Sequence, residues 1–277
     1  MITPSEQELW RERVERSTGN CFPDSRLHVL RNCVSAEMRL RGIGDCRSYR
    51  RLVAESPADW NRLLNRLVNR ETSFFRHQPS FTALRDQLLP RLAAGSAATA
   101  PLALWSAGCS TGEEAFSLAI TAAEAGVEVE VLGSDIGSDA LAVAEKAVYT
   151  ARDLAAVPLA VRRRHFVPQW RPPSPFAAAG EASLFEVAAP LRSRVRFVTF
   201  NLLDPATYPS RAQDVIFCQN VLIYFRNTVA LEAAAALARC LRPGGFLVLA
   251  PGELAGARLP GLETVRLRDT VVLRRQA

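Results

Sequence analysis

The chain has 277 residues, of which 48% are hydrophobic and 22% charged, with a formal net charge of +6 and a pI near 9.3. No apolar run reaches the roughly 18 residues that span a bilayer, and the N-terminus lacks the apolar core of a signal peptide. We therefore expect a soluble, cytoplasmic globular protein with a sizeable core. The basic balance allows nucleic acid, an anionic membrane or an acidic protein surface as partner.

The first part of the chain, residues 1–92, has the pattern of a small, basic helical domain. Apolar residues recur at three- and four-residue steps between Leu27 and Met38 and between Leu63 and Val68, and Ser56-Pro57 is typical of a helix start. Several arginines lie between these apolar positions, either as a solvated helix face or as a patch for an acidic partner. They are Arg31, Arg39, Arg41, Arg47, Arg50 and Arg51.

Residues 93–101 are mostly small and predict a linker into a second domain, 102–277, in which strands and helices alternate. This alternation predicts a mostly parallel sheet covered by helices on both faces, and a terminal antiparallel hairpin. The strands are expected near 102–106, 129–134, 195–200, 214–218 and 245–250, the helices near 112–125, 138–148 and 228–241, and the hairpin at 264–267 and 270–273. The Pro-rich segment 168–190 interrupts the pattern, either as a mobile loop or as a small inserted subdomain.

The stretch from Leu104 to Glu114, Leu-Trp-Ser-Ala-Gly-Cys-Ser-Thr-Gly-Glu-Glu, is the clearest indication of a ligand site. It predicts a strand that turns through Gly108 and Gly112 into a helix, whose first N–H groups favour polar ligand atoms. Glu113 and Glu114 would repel a pyrophosphate but suit a cationic ligand. S-adenosylmethionine, which carries an ammonium and a sulfonium group, fits this pattern.

Asp135 ends the next predicted strand, where nucleotide-binding α/β folds hold ribose hydroxyls; alternatively, it caps the helix that starts near Ser138. The six cysteines include no CxxC pair, so neither a zinc site nor a disulfide framework is indicated, and we predict no metal. Cys109 fits the tight loop as a small residue better than it fits a nucleophile, because no histidine lies nearby in the sequence.

Five motifs occur along the chain in a fixed order. They are Thr72-Ser73-Phe74-Phe75-Arg76, the run from Cys109 to Glu114, Ser134-Asp135-Ile136, Asn201-Leu202-Leu203, and the run from Asp214 to Phe225. In this order and at this spacing, the chain resembles the chemotaxis receptor methyltransferases of the CheR family over nearly its whole length. The resemblance implies an α/β fold of the class I methyltransferase type: Rossmann-like, mostly parallel, with a C-terminal antiparallel hairpin and a preceding helical domain.

The resemblance also implies roles for single residues. Glu114 would hold the amino group of S-adenosylmethionine, Asp135 its ribose, and Thr72 and Arg76 its methionine part. Asn220 and Tyr224 would lie beside the transferred methyl. Arg76 and Tyr224 are the expected catalytic residues, which would orient the incoming carboxylate. The full set of expected cofactor contacts is Arg70, Thr72, Arg76, Gly108, Glu114, Asp135, Asn201, Leu202, Gln219 and Asn220. Phe74 and Phe75 are expected in the core between the two domains.

Three positions depart from the family pattern. Arg70 stands where an Asn is frequent, Gln219 stands where an Arg is frequent, and the run Ala250 to Glu253 replaces a His-Ser-Glu sequence. The first two changes lie near the predicted cofactor, so we expect them to alter its affinity. Because the 168–190 segment matches the family poorly, we do not predict that it binds a receptor C-terminal peptide.

The implied activity is the formation of glutamate methyl esters on the cytoplasmic helices of chemoreceptors, or of a related acidic signalling protein, by a monomeric enzyme. In this hypothesis Arg39 and Arg41 on the basic helical domain dock the acidic substrate. Two alternatives remain at this stage. One is a methyltransferase acting on RNA or a small molecule, although the sequence lacks the interleaved aromatic and basic residues of a nucleic-acid site; the other is a non-catalytic signalling module that binds the cofactor.

Overall fold

The computed structural model describes residues 2–95, 100–169 and 183–276. Its first part is helical, as the periodicity predicts, and a π-helical turn at Leu84–Leu88 joins the last two helices. The helices are α1 (Pro4–Thr18), α2 (Leu27–Leu40), α3 (Cys46–Glu55), α4 (Pro57–Leu67), α5 (Gln78–Ala83) and α6 (Leu89–Gly95). Residues 96–99 of the predicted linker lie outside the described residues.

Local sequence explains how α1 to α4 begin and pack. Thr3 forms a capping box with Glu6 at the start of α1, and the Ser56 side chain accepts the N–H of Asp59 at the start of α4. The apolar faces of these helices enclose their own core, in which Trp10 and Leu30 are almost completely buried. Hydrophobic burial on one face of each helix therefore builds a small domain before the sheet begins.

The second part of the chain forms a seven-stranded sheet in the order β6-β2-β1-β7-β8-β10-β9. The neighbours from β6 to β8 are parallel, whereas β10 is antiparallel to both β8 and β9. The strands are β1 (Leu102–Ala107), β2 (Val129–Asp135), β6 (Val195–Thr199), β7 (Gln213–Cys218), β8 (Leu241–Leu249), β9 (Leu262–Arg266) and β10 (Val271–Arg275). The predicted mostly parallel sheet with a terminal antiparallel hairpin is therefore confirmed.

Helices follow the strands and cover the sheet on both faces. They are α7 (Glu113–Glu124), α8 (Ser138–Lys146), α9 (Leu159–His165), α10 (Ala189–Arg192) and α11 (Asn227–Cys240). Two buried hydrophobic clusters lie against the sheet, one containing Phe116 and Phe217 and the other Trp105 and Leu237. Among the described residues, no helix combines the length and the apolar character needed to cross a membrane.

A second, three-stranded antiparallel sheet lies next to the predicted insertion. It consists of β3 (Val148–Thr150), β4 (Phe166–Gln169) and β5 (Leu184–Val187), in the order β3-β5-β4. The described ends of the 168–190 segment belong to this small β subdomain rather than to a loop. The prolines at 172, 173 and 175 lie outside the described residues.

The connection between α4 and α5 joins the helical domain to the sheet. Phe74 is completely buried and makes edge-to-face contacts with Tyr149 and Phe166. The Asn65 side chain donates to Ser138 Oγ at 3.1 Å and so links α4 to α8. The expected position of Phe74 in the core is confirmed, and the two parts of the chain pack closely where the sheet opens.

Candidate functional site

A cleft lies at the carboxyl ends of β1, β2 and β7, where the strand order reverses. In open α/β sheets this crevice is the usual place for a ligand. Most of the residues predicted for the cofactor and the acceptor line it, namely Thr72, Arg76, Gly108, Glu114, Asp135, Asn201, Leu202, Gln219, Asn220 and Tyr224.

The loop after β1 takes a shape that requires glycine. Gly108 has φ +87°, and a Cβ placed there would come within 2.4 Å of the Val221 side chain. The N–H groups of Gly108 and Cys109 both donate to Ser134 O at 2.8 Å. These two donors hold β1 to β2 rather than facing a ligand, so the loop contributes its shape and the side chains that follow it.

The two acids that open α7 have different surroundings. Glu113 is buried and accepts a hydrogen bond from the Thr111 hydroxyl at 2.6 Å, away from the cleft lining. Glu114 lines the cleft and accepts from the Ser106 hydroxyl at 2.7 Å. Among the described residues neither acid forms an ion pair. Glu114 is therefore the carboxylate available to a cationic ligand.

The electrostatics of Glu114 follow from its position. Burial raises the pKa of this carboxyl to about 7; the Ser106 hydrogen bond and the Arg76 charge oppose the shift, and the negative charge of Glu253 adds to it. Near neutral pH the folded protein therefore holds an acid whose charge is poorly compensated. A bound ammonium group supplies the missing positive charge.

Asp135, at the end of β2, binds backbone groups on both sides of it and also faces the cleft. Its carboxylate accepts the N–H of Ser110 at 2.9 Å and the N–H of Gly137 at 2.8 Å, just before α8, and it also lines the cleft. Burial raises its pKa, while these backbone hydrogen bonds lower it. Because each carboxylate oxygen has more than one lone pair, the side chain keeps acceptor capacity for ligand hydroxyls.

The segment between α4 and α5 supplies the positive charge of the site. Arg76 lines the cleft, where its guanidinium donates to Glu71 O at 2.8 Å and pairs with the Glu71 carboxylate at 3.3 Å. The guanidinium of Arg70 makes other contacts: it donates to Asn65 O at 2.9 Å and lies 3.5 Å from the Asp139 carboxylate. The side chain of Arg70 does not line the cleft but links α4 to α8, and its expected contact with the cofactor stays a prediction.

Asn201 and Leu202 line the opposite wall. The Asn201 amide donates to Ser17 O at 2.7 Å and accepts the N–H of Leu203 at 3.0 Å, so the side chain ties this loop to the end of α1. Thr18 and Asn20, which follow, also line the cleft. This contribution from the N-terminal segment has no motif and was not expected from the sequence.

The run after β7 forms the remaining wall. Gln219 is buried, and its amide donates to Ser80 Oγ at 3.0 Å and to Leu249 O at 3.2 Å. Asn220 has φ +59°, a left-handed conformation that Asn tolerates better than most residues. The Tyr224 hydroxyl accepts a hydrogen bond from the Asn69 amide. Asn69 is a further cleft residue that the sequence motifs did not indicate.

Nucleophilic thiol and metal chemistry find no support among the described residues. The six cysteines are all thiols, and Cys109 is buried, with its pKa raised well above the usual value by burial and by the nearby Asp135. A thiol so disposed is protonated and unreactive. Within the part of the chain that the structure describes, no group of three or more His, Cys, Asp or Glu side chains is arranged to hold a metal ion.

Comparison with known proteins agrees with this geometry. Residues 70–260 match the family model of the CheR methyltransferase, SAM binding domain. The chain belongs to the CheR methyltransferase family. It is 31% identical to chemotaxis protein methyltransferase 2 of Pseudomonas aeruginosa over 88% of this chain and 84% of that one. It is 29% identical to the chemotaxis protein methyltransferase of Vibrio parahaemolyticus over 98% of each chain.

Two further relatives show how far the likeness extends. The chain is 31% identical to the probable biofilm formation methyltransferase WspC of Pseudomonas aeruginosa over 89% of its own length but 56% of that relative. The solved structure of an O-methyltransferase family protein from Burkholderia thailandensis aligns with 14% identity and a TM-score of 0.42, over 79% of this chain and 59% of that one. The sheet order, rather than this alignment, establishes the class I methyltransferase fold.

This CheR-family protein is therefore a methyltransferase that uses S-adenosylmethionine. The cleft fits the cofactor on its own chemistry, since Glu114 offers a carboxylate to an ammonium group and Asp135 offers acceptors to ribose hydroxyls. The cofactor supplies an electrophilic methyl group on sulfonium sulfur.

Proposed function

We propose that this protein transfers a methyl group from S-adenosylmethionine to glutamate side chains on the cytoplasmic helices of chemoreceptors, or of a related signalling protein. The product is a glutamate methyl ester, which sets adaptation in a chemosensory pathway. The family relationship supports the chemotactic context. The hydrogen bonds around Tyr224 favour a carboxylate as the acceptor.

Two contacts fix the hydrogen-bonding state of Tyr224. Asn69 Oδ1 accepts the N–H of Glu71 at 3.0 Å, which orients the amide so that its nitrogen donates to the Tyr224 oxygen. The hydroxyl oxygen thus already accepts a hydrogen bond, and its own proton is available to a molecule in the cleft. Arg76, on the same cleft, presents further N–H donors. This pair of donors suits an acceptor that is an anion, such as a carboxylate.

A glutamate acceptor needs no general base at this position. A Glu side chain has a reference pKa near 4.3 and is ionised at neutral pH. In the transfer, a carboxylate oxygen forms a bond to the methyl carbon as the carbon–sulfur bond breaks, which leaves an ester and a neutral thioether. In this proposal Arg76 and Tyr224 orient the carboxylate towards the methyl carbon, and such positioning supplies roughly 7–11 kcal/mol in favourable cases.

The test is methylation of purified receptor cytoplasmic fragments with methyl-labelled cofactor. We expect label that is released as methanol by base, and its loss when the acceptor glutamates are changed to glutamine. Tyr224→Phe is expected to lower kcat by about tenfold, as loss of one hydrogen bond to a charged group predicts, with S-adenosylhomocysteine affinity unchanged. Absence of base-labile label with the wild-type protein would overturn the proposal, and salt-dependent retention of RNA would favour the nucleic-acid alternative.

A further inference from the structure

Glu253, at the end of the run Ala250 to Glu253 that departs from the family pattern, is a buried carboxylate beside the cleft. It lies in the turn after β8 and is 8% exposed. Its oxygens accept the N–H groups of Ala250 at 2.8 Å, Asn220 at 3.1 Å and Ile223 at 3.2 Å. Among the described residues it forms no ion pair with a basic side chain. Its hydrogen bonds therefore go to the backbone, and two of them reach the segment that carries Tyr224.

The segment from Asn220 to Tyr224 depends on these bonds for its shape. Asn220 has a positive φ, and a 3₁₀ turn, Leu222–Tyr224, follows it. Such a conformation costs free energy and persists only where surrounding contacts hold it. Glu253 holds the segment from the side of β8, while Cys21 N donates to Tyr224 O at 2.7 Å from the other side. The position of the Tyr224 hydroxyl is thus set by groups outside its own loop.

Glu253 also acts on the charge of the site. Its carboxylate is close enough to raise the pKa of Glu114, the acid at the ammonium end of the cleft, while Arg76 acts in the opposite direction. The Ser106 hydroxyl completes the groups that face Glu114. A neutral side chain at position 253 therefore lowers the pKa of Glu114. Loss of a purely structural contact would not have this effect.

We propose that Glu253 is a positioning residue for methyl transfer: by binding the backbone of Asn220 and Ile223, it holds Tyr224 where its hydroxyl meets the acceptor carboxylate. This inference rests on the proposed function. In this inference one buried carboxylate, Glu253, links the turn after β8 to the acceptor side of the cleft. A glutamine at this position keeps the size of the side chain but turns one acceptor oxygen into a donor amide, which cannot accept the N–H bonds on that side.

The test compares Glu253→Gln with the wild type in kinetics and in S-adenosylhomocysteine binding. We expect kcat for ester formation to fall by about tenfold or more, as misplacement of an orienting group predicts, while the dissociation constant of S-adenosylhomocysteine at pH 8 changes by less than about threefold. The pH below which this binding weakens is expected to move downward, because loss of the Glu253 charge lowers the pKa of Glu114. Glu253→Asp, which keeps the charge but shortens the reach, is expected to lose kcat without that shift.

Two controls separate positioning from general destabilisation. Asp214→Asn removes another buried carboxylate that binds backbone, at the far end of the sheet, and is expected to lower Tm with kcat unchanged. Adding Tyr224→Phe to Glu253→Gln is expected to cost less than Tyr224→Phe costs alone, because the two residues act through the same hydroxyl.

A kcat within twofold of wild type in Glu253→Gln overturns the inference, as do fully multiplicative effects in the double variant. Failure of the proposed function has a different signature. If the wild type forms no methyl ester, the acceptor assignment is wrong and Glu253 cannot be a positioning residue for it, whatever the calorimetric shift shows. If the wild type forms the ester and the shift is absent, the described placement of Glu253 beside Glu114 is contradicted.

Discussion

At the amino end of the main sheet, Asp214 is buried, accepts the N–H of Ala103 at 2.7 Å and pairs with Arg242 at 3.0 Å. At the carboxyl end, Glu114 and Asp135 are also set into the protein, but among the described residues neither has a cationic partner within an ion-pair distance. Asp214 thus has a basic partner inside the fold, whereas within the described residues the charges of Glu114 and Asp135 are not paired with one. The contrast indicates which end of the sheet is built for stability and which for a positively charged ligand.

The largest expected effect concerns Glu114. Glu114→Gln is expected to weaken S-adenosylhomocysteine binding by roughly 100-fold, because the ammonium group loses a charge-assisted hydrogen bond in a buried site. Calorimetry measures the change. The matched control is Glu113→Gln, one residue earlier on α7, for which we expect less than about a threefold effect. A larger loss in the control than in Glu114→Gln would reverse the assignment of the two acids.

Stability is expected to respond in opposite directions at the two ends of the sheet. A carboxyl whose pKa is raised from 4.5 to about 7 by folding destabilises the folded state as pH rises through that window. Glu114→Gln is therefore expected to stabilise the ligand-free protein at pH 8 by about 2 kcal/mol, whereas Asp214→Asn destabilises it by a similar amount. Thermal or chemical unfolding measures both. Equal destabilisation by the two variants would remove the contrast.

The pH dependence of binding gives a third measurement. Since the ammonium group binds the ionised form of Glu114, the dissociation constant of S-adenosylhomocysteine is expected to rise about tenfold between pH 8 and pH 6. Calorimetry at pH 6, 7 and 8 tests this, and Glu114→Gln is the control, for which a flatter profile is expected. A flat profile in the wild type would contradict the raised pKa of Glu114 and with it the unmatched charge at this end.

The smallest expected effects belong to the helical domain. There, two neighbouring arginines differ in whether an acidic side chain of the described residues pairs with them. Arg41 pairs with Asp59, whereas Arg39 is exposed at the end of α2. Arg39→Glu is expected to slow receptor methylation by a few-fold, more at low salt, with S-adenosylhomocysteine affinity unchanged, as loss of electrostatic steering predicts. Arg41→Glu is expected to reduce stability as well, since it breaks the pair with Asp59.

Rate measurements at two salt concentrations check this prediction. Arg268→Glu, in the turn between β9 and β10 at the other edge of the main sheet, serves as the charge-matched control. If it slows methylation as much as Arg39→Glu, the effect belongs to net charge rather than to a docking face.

The sequence predicted the fold well because its signals were local and periodic. Alternating apolar strands and amphipathic helices specified the parallel sheet, and the motif residues met at one cleft because the carboxyl ends of parallel strands share an edge. Arg70 lies outside the cleft lining although it is close to Thr72 in the sequence, because proximity in sequence did not determine the direction of its side chain. Asn69 and Thr18 were missed, and Glu253 was noted only within a departure from the family pattern, because their positions depend on packing between segments that are distant in sequence.

The end of α1 crosses the cleft, where Thr18 and Asn20 form part of the wall and Ser17 binds Asn201. These residues lie outside the span 70–260 that matches the family model. A fragment cut at the family boundary therefore loses one side of this cleft, together with β9 and β10 of the main sheet. If the helical domain selects the substrate, as we propose, exchanging N-terminal domains between relatives would also exchange part of the cleft wall, and partner choice and cofactor affinity would change together.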